Sequence, residues 1–242
     1  MKKLNRICIS IISICMLILV IFITFDILCH SMPFFDKIWE KSGTFDALNI
    51  DKSELEKVIK HTIDYLNNKN DSLQIQVTLR DGSVIDFYQK FPFQYSGKDV
   101  DELAHMADCK PLFMGFRELA LISLILIVLL SYPIIRNRKM INKKDINVIY
   151  YTYGAIFVII GILLLLIATN FTKAFEIFHH IFFSKSNTSW EYPYNSRMII
   201  MLPETIFYDF SFYMLLSILI FIIVVVVSTI LIKRKLNKRV DN

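Results

Sequence analysis

What this chain has little of narrows its chemistry first. Only 6 of its 242 residues are glycine, and none sits in a G-x-x-x-x-G-K-[ST] phosphate loop, a G-x-G-x-x-G turn or a G-x-S-x-G elbow. No H-E-x-x-H zinc motif occurs either. The familiar soluble chemistries of nucleotide binding, serine hydrolysis and zinc proteolysis are therefore not signalled. Cysteine is also scarce: there are 4, at positions 8, 15, 29 and 109, with no C-x-x-C pair. Two of them fall inside the first apolar run, so a disulfide exchanger would need Cys29 to meet Cys109.

What is abundant is apolar. Hydrophobic residues make up 55% of the chain and mean hydropathy is +0.48, above what soluble domains of this length show. Long runs occupy 7–28, 119–135, 148–168 and 212–232, each near the ~20 residues that cross ~30 Å of hydrocarbon. Tyr150, Tyr151 and Tyr153 crowd the start of the third, as expected at a headgroup interface. The expected fold is a mainly α membrane protein with four transmembrane helices, at 1–28, 117–136, 147–170 and 210–233, carrying a small extracytoplasmic α+β cap.

The first run also resembles a signal peptide, since Lys2, Lys3 and Arg6 precede it, and Cys29 invites a lipobox reading. Yet the run exceeds an h-region of ~7–15 residues, no A-x-A-like site follows, and Leu28 stands where a small residue should precede the cysteine. A retained anchor is expected. Arg136, Arg138, Lys139, Lys143 and Lys144 crowd the loop 137–146 and its edges, and Lys233, Arg234, Lys235, Lys238 and Arg239 mark the tail 234–242. The positive-inside tendency then puts that loop and both termini in the cytoplasm. The net charge of +5 is mostly topology, and nucleic acid need not be invoked.

Segments 29–116 and 171–209 are left outside. In the first, DKSELEKVIKHTIDYLNN brings Leu55, Val58, Ile59 and Leu66 onto one face of a helix, with Asp51 or Ser53 as caps. LQIQVTL, RDGS and VIDFY then read as strand, turn and strand, centred on Asp81-Gly82. No internal repeat or low-complexity linker interrupts the chain.

Three of the 5 histidines fall in outside segments close to a span: His105 before the second helix, His179 and His180 after the third. Both of those spans meet the outer leaflet, so His105 and one of the later pair can approach one another. An ionisable group at such a depth is costly unless paired or used. The plain alternative pairs His105 with Asp101 or Asp108, at i−4 and i+3 on a helix surface. A metal reading of His105, Asp108, His179 and His180 is open too, but H-x-x-D is a weak spacing and adjacent histidines rarely aim at one ion. No metal and no cofactor is the expectation.

Two other classes compete with an enzyme. A membrane sensor or accessory protein whose cap binds a partner needs no buried histidine pair. A transporter would want polar residues deep in its helices, yet the last two spans carry little beyond Thr169, Ser217, Ser228 and Thr229.

ELAHMADCKPLF before the second span, then FEIFHHIFF, SW and MIIMLPE after the third, resemble the lipoprotein intramolecular transacylase family, Lit. His105, Met106, Asp108 and Lys110 fit its first motif. Phe178, His179, Ile181, Phe182, Phe183, Trp190, Leu202, Pro203 and Glu204 fit the second. The resemblance covers roughly residues 100–210. Cys109 departs from it, as does Pro111, which is expected to bend the helix near His105.

The resemblance implies acyl migration on a diacylated bacterial lipoprotein within the membrane lipid. The sn-2 acyl chain of the diacylglyceryl-cysteine moves to that cysteine's own α-amino group, leaving a lyso form. It also implies that His105 and His179 are catalytic. The amine, of ordinary pKa ~7.7–8.0, must be neutral to attack, and imidazole near pKa ~6.5 is suited to move its proton. His105 is expected as base, oriented by Asp108, with His179 donating to the oxyanion or leaving oxygen; the roles can be exchanged. Lys110 and Arg117 are expected to hold lipid polar groups or to snorkel. Trp190 is expected at the interface, and Glu204 to pair with Arg197 or simply to start a helix.

Overall fold

A computed structural model describes residues 2–136 and 143–240. The basic residues Arg138 and Lys139 lie outside the described residues, as do the side chains of Lys143, Lys235, Lys238 and Arg239. The chain is mainly helical. Helices α1 (Lys2–Cys29), α5 (Glu102–Arg136), α6 (Lys143–Thr169) and α9 (Glu204–Val240) each contain a stretch long and apolar enough to cross a membrane. At 1.5 Å per residue, the 35 residues of α5 run about 52 Å, well beyond ~30 Å of hydrocarbon. The helix is thus longer than one span requires, and it continues without a break through Pro111.

The chain divides into two compact units. The first contains Met1–Phe25, Arg117–Thr169 and Phe212–Asn242. Here Tyr153, Ile218 and Ile222 are buried together, and the Tyr153 hydroxyl donates to the Ser13 carbonyl at 3.0 Å. Arg6 meets the fully buried Asp145 at 2.8 Å, and Lys233 bonds Asn147. These pairs bring the starts of α1 and α6 and the far end of α9 to one end of the unit.

The second unit contains Asp26–Phe116 and Asn170–Ser211. It holds α2 (Met32–Ser42), α3 (Thr44–Ala47), α4 (Lys52–Leu66), α7 (Phe171–Phe183), α8 (Arg197–Met201) and two antiparallel strand pairs. Helix α4 buries Leu55, Val58, Ile59, Ile63 and Leu66 against Trp39, Val77, Phe87 and Met201. Asp51 occupies its N-cap position, but its carboxylate accepts from Arg80 Nε at 3.1 Å rather than from the helix.

Strand β1 (Gln76–Thr78) pairs with β2 (Val84–Asp86), Val77 opposite Ile85. Gly82, at φ 85°, supplies the left-handed turn residue between them. A second hairpin, β3 (Lys90–Tyr95) with β4 (Lys98–Asp101), has no counterpart in the sequence reading. Pro92 breaks its alternation, and its register is irregular between Lys90 and Gln94, as a residue without an N–H requires. Ser96 and Gly97, both at positive φ, close its turn.

Glu102, fully buried at the start of α5, ties this unit together. Its carboxylate accepts from the Gln89 amide at 2.8 Å, the Ser196 hydroxyl and the Met198 amide. A buried carboxylate with three donors is satisfied, whereas one without them would cost several kcal/mol.

Candidate functional site

The site is built within the second unit, from the first turns of α5, from α7 and from the loop that follows it. Asp101 caps α5, its carboxylate accepting from the Ala104 amide at 3.1 Å. That fixes the helix start one turn before His105. Asn170 caps α7 in the same way, accepting from the Lys173 amide at 2.9 Å. Spacing of four along α7 then stacks Phe175, His179 and Phe183 on one face.

The two helices bring His105 and His179 together, ring centroids 6.2 Å apart and 25° from parallel. Each retains only 7% of its surface. A hydrogen bond from either ring reaches ~2.6–3.2 Å, so rings at this separation can both serve one reacting centre. Their surroundings are aromatic. Phe183 lies 4.9 Å and Tyr192 5.9 Å from His105, while Phe175 lies 4.2 Å and Trp190 4.6 Å from His179. The Trp190 ring is nearly parallel to His179, at 28°. His180 is exposed and meets the same Trp190 edge-on.

The hydrogen bonds distinguish the two imidazoles. His179 Nδ1 is 2.8 Å from the Phe175 carbonyl, which can only accept, so Nδ1 carries a proton and Nε2 of the neutral ring keeps its lone pair. Burial holds the His179 pKa below its ordinary value, against the Phe175 bond and with help from His180. His105 Nδ1 is buried with no partner, and its Nε2 lies 3.7 Å from Cys109 Sγ. Burial, with Glu102 adding to it, pushes the Tyr192 phenol well above its usual range, so it remains a donor, to the Asp101 carbonyl at 3.1 Å.

Neither acid expected beside His105 holds it. Asp108 turns instead to the loop after α7, where one carboxylate oxygen accepts from both the Ser186 and Thr188 hydroxyls, the latter at 2.7 Å. Asp101 is used as a cap and as the partner of Lys90. Glu204 starts α9 and accepts from Thr172 at 2.8 Å. It does not pair with Arg197, whose guanidinium donates to the Phe87 and Asp86 carbonyls, 2.7 Å each. Lys110 lies over the Tyr65 ring at 4.3 Å and reaches the Asn70 carbonyl. Arg117 is exposed on the first unit. All 4 cysteines are free, and among the described residues no three metal-ligating side chains gather.

Ser186, Thr188, Tyr192 and Phe175 were not singled out from sequence. The i, i+4 spacing of Phe175, His179 and Phe183 is a signal that points to the last; Ser186 and Thr188 carry none.

Among curated proteins, none matches the chain. The fold is similar to the in meso structure of the membrane integral lipoprotein intramolecular transacylase Lit from Bacillus cereus: TM-score 0.72 and 18% identity, over 97% of this chain and 99% of that one. Two further structures of that protein, in which one histidine is replaced by arginine or by alanine, match with TM-score 0.68 and 19% identity. The arginine variant covers 99% of this chain and 96% of its own, the alanine variant 98% and 96%. The family model for lipoprotein intramolecular transacylase Lit matches residues 8–207, so the chain belongs to that family and is a multi-pass membrane acyltransferase.

Proposed function

We propose that this protein moves the sn-2 acyl chain of a diacylglyceryl-cysteine lipoprotein to the α-amino group of the same cysteine, through His105 and His179. The observation that carries the reading is the buried imidazole pair: a partnerless His105 Nδ1 beside a His179 whose tautomer is fixed. A buried polar atom without a partner calls for an explanation, and a transient substrate partner supplies one.

The assignment of roles follows from the bonds. His179, with Nδ1–H held by Phe175, offers Nε2 as the base that takes the amine proton as nitrogen attacks the ester carbon. The resulting imidazolium returns that proton to the glyceryl oxygen as the C–O bond breaks, so ester and amine become amide and alcohol with no net proton change. His105 donates from Nδ1 to the oxyanion. This exchanges the roles expected from sequence. Donor and acceptor belong to one molecule, so holding them in reach supplies much of the rate, effective molarities of ~10⁵–10⁸ M being attainable. No enzymic nucleophile has to form.

The membrane setting fits the same reading. Helix α7 buries His179 and Phe183 while half-exposing Ile177, Phe178, Ile181 and Phe182, a face suited to acyl chains. The basic flanks support a reading with both termini in the cytoplasm and the histidines toward the outer leaflet.

The test is the N-terminal structure of a reporter lipoprotein from cells with and without this protein. Intramolecular transfer leaves the total mass unchanged, so fragmentation is the readout: the protein moves one acyl chain from the glyceryl fragment to the amino-terminal fragment. An unchanged fragment pattern overturns the reading and leaves the accessory role in its place.

A further inference from the structure

The loop after α7 is fastened at more points than a surface turn needs. Lys98 Nζ donates to the Phe183 and Ser184 carbonyls at 3.3 and 3.4 Å, placing a cation on the carbonyl end of α7. The Ser189 amide donates to the Asp99 carbonyl at 2.8 Å. Between these two fastenings, Ser186 and Thr188 both donate to one oxygen of Asp108, and their hydroxyls lie 2.8 Å from each other. The Thr188 amide closes the ring by donating to Ser186 Oγ at 3.0 Å. Asp108 lies one helical turn beyond His105 on α5, and Trp190, stacked on His179, follows Thr188 by two residues. The clasp therefore joins the helix carrying one histidine to the loop covering the other.

We propose that Ser186 and Thr188, acting through Asp108, are positioning residues of the transacylase site. They hold the 184–190 loop so that Trp190 stays on His179 at its working distance from His105. The inference rests on the transacylase reading above. It also separates two jobs for Asp108. If the carboxylate served as a charge for His105, its ionisation would matter; as a clasp, it needs only one acceptor oxygen in place. Asparagine keeps that oxygen and loses the charge.

Four proteins decide it: wild type, Ser186→Ala with Thr188→Val, Asp108→Ala, and Asp108→Asn. Two readouts are taken on each full-length protein in detergent. The first is the rate of lyso-form production from a diacylated lipoprotein. The second is amide hydrogen exchange in the 184–190 peptide, with the α4 peptide as a control for folding. The double variant and Asp108→Ala should lose up to about 100-fold in rate, the cost of a displacement near 1 Å. Their loop amides should exchange faster while α4 stays protected. Asp108→Asn should remain within about tenfold of wild type, with an unchanged pH profile and a protected loop, because the two hydroxyls keep their acceptor oxygen and two neutral hydrogen bonds replace two charge-assisted ones.

Loop protection unchanged in the double variant overturns the clasp, as does full activity in that variant. Asp108→Asn as slow as Asp108→Ala, with its loop still protected, overturns it in favour of a charge role. A wild-type protein that makes no lyso form instead rejects the function, and the exchange data still judge the clasp.

Discussion

The two units of this chain solve opposite problems with different compositions, the first being the richer in apolar residues. The membrane unit turns its apolar residues outward: Val128 and Leu165 each keep 65% of their surface, and the few groups it buries include Asn5, Ser13, Asp145 and Thr229. The second unit does the reverse, with Trp39, Leu55 and Val58 fully buried. It has the ordinary inside-out logic of a water-facing domain, yet it hides His105, His179 and Glu102 within. In lipid, apolar surface is free to face out and polar groups must find partners inside. The histidines are an exception of another kind, since one ring nitrogen has no partner at all. Among the described residues, buried polar atoms without a partner occur in both units, Asn5 Nδ2 in the first and Asp36 Oδ1, His61 Nε2 and His105 Nδ1 in the second, and of these His105 is the one that lies beside a second buried imidazole.

The strongest way to break this contrast is to remove the histidines. His105→Ala and His179→Ala should each reduce lyso-form product by ~10²–10⁴-fold, and the double variant should lose little more, as groups acting in one step are not additive. Each variant should still accumulate in the membrane. Robust lyso-form production by a well-expressed single variant removes the second unit's claim to the chemistry.

A stability pair sharpens the same comparison. Trp39 is buried, edge-on to Phe45, and donates through Nε1 to the Met201 carbonyl at 2.8 Å, so Trp39→Ala should cost ~3–5 kcal/mol. Leu165 on α6 is largely exposed, and lipid is as apolar as leucine. Leu165→Ala should therefore stay within ~0.5 kcal/mol, as surface changes do. Denaturant unfolding in detergent measures both. Equal losses would mean that the two regions are not packed by different rules.

Much of the membrane unit was legible because lipid imposes a one-dimensional signal. Stretches of ~20 residues without charge, flanked by Arg136 or Lys233, are read directly from composition. Leu55, Val58, Ile59 and Leu66 were legible for a related reason: the 3.6-residue period survives in the sequence whatever it packs against. The second hairpin was not, because Lys90 to Tyr95 contains Pro92, which reads as a strand breaker. At the site, His105 and His179 were found through motif content, and their approach is a tertiary fact. The partners of Asp108 were misjudged because i+3 spacing favours His105, whereas Ser186 and Thr188 lie 78 and 80 residues away and offer better donors. The same long-range competition moved Glu204 from Arg197 to Thr172.

Cys109 tests the mechanism more gently. Its sulfur lies 3.7 Å from His105 Nε2. The acceptor amine belongs to the substrate, so no acyl-enzyme is required, and Cys109→Ala should keep its rate within about tenfold of wild type, the scale of one modest hydrogen bond. A thioester trapped on Cys109 would instead show an acyl-enzyme path.

The smallest effect concerns His180, which shares Trp190 with His179 but lies exposed on the other side of the helix. Activity near pH 8 should survive His180→Ala, because adjacent helical side chains diverge by ~100° and cannot both face one site. The variant should nevertheless alter the titration of His179. Burial lowers that pKa from 6.5, and charge at His180 lowers it further. Removing His180 takes away the repulsion, so the His179 pKa rises while remaining below 6.5 through burial. The linkage has a definite sign: below pH 6.5 the unfolded chain takes a proton that the folded ring resists, so acidification destabilises the fold. His180→Ala should soften that loss. Carbethoxylation, which modifies only neutral imidazole, reports the midpoint at His179 by peptide mass spectrometry. It should lie below pH 6.5 in the wild-type protein and move upward in His180→Ala. A midpoint that falls or does not move in His180→Ala would show that His180 does not repel the charged His179 ring, and one at the value of a free imidazole in both proteins would show that the second unit does not desolvate His179 and that its aromatic surroundings are open to water.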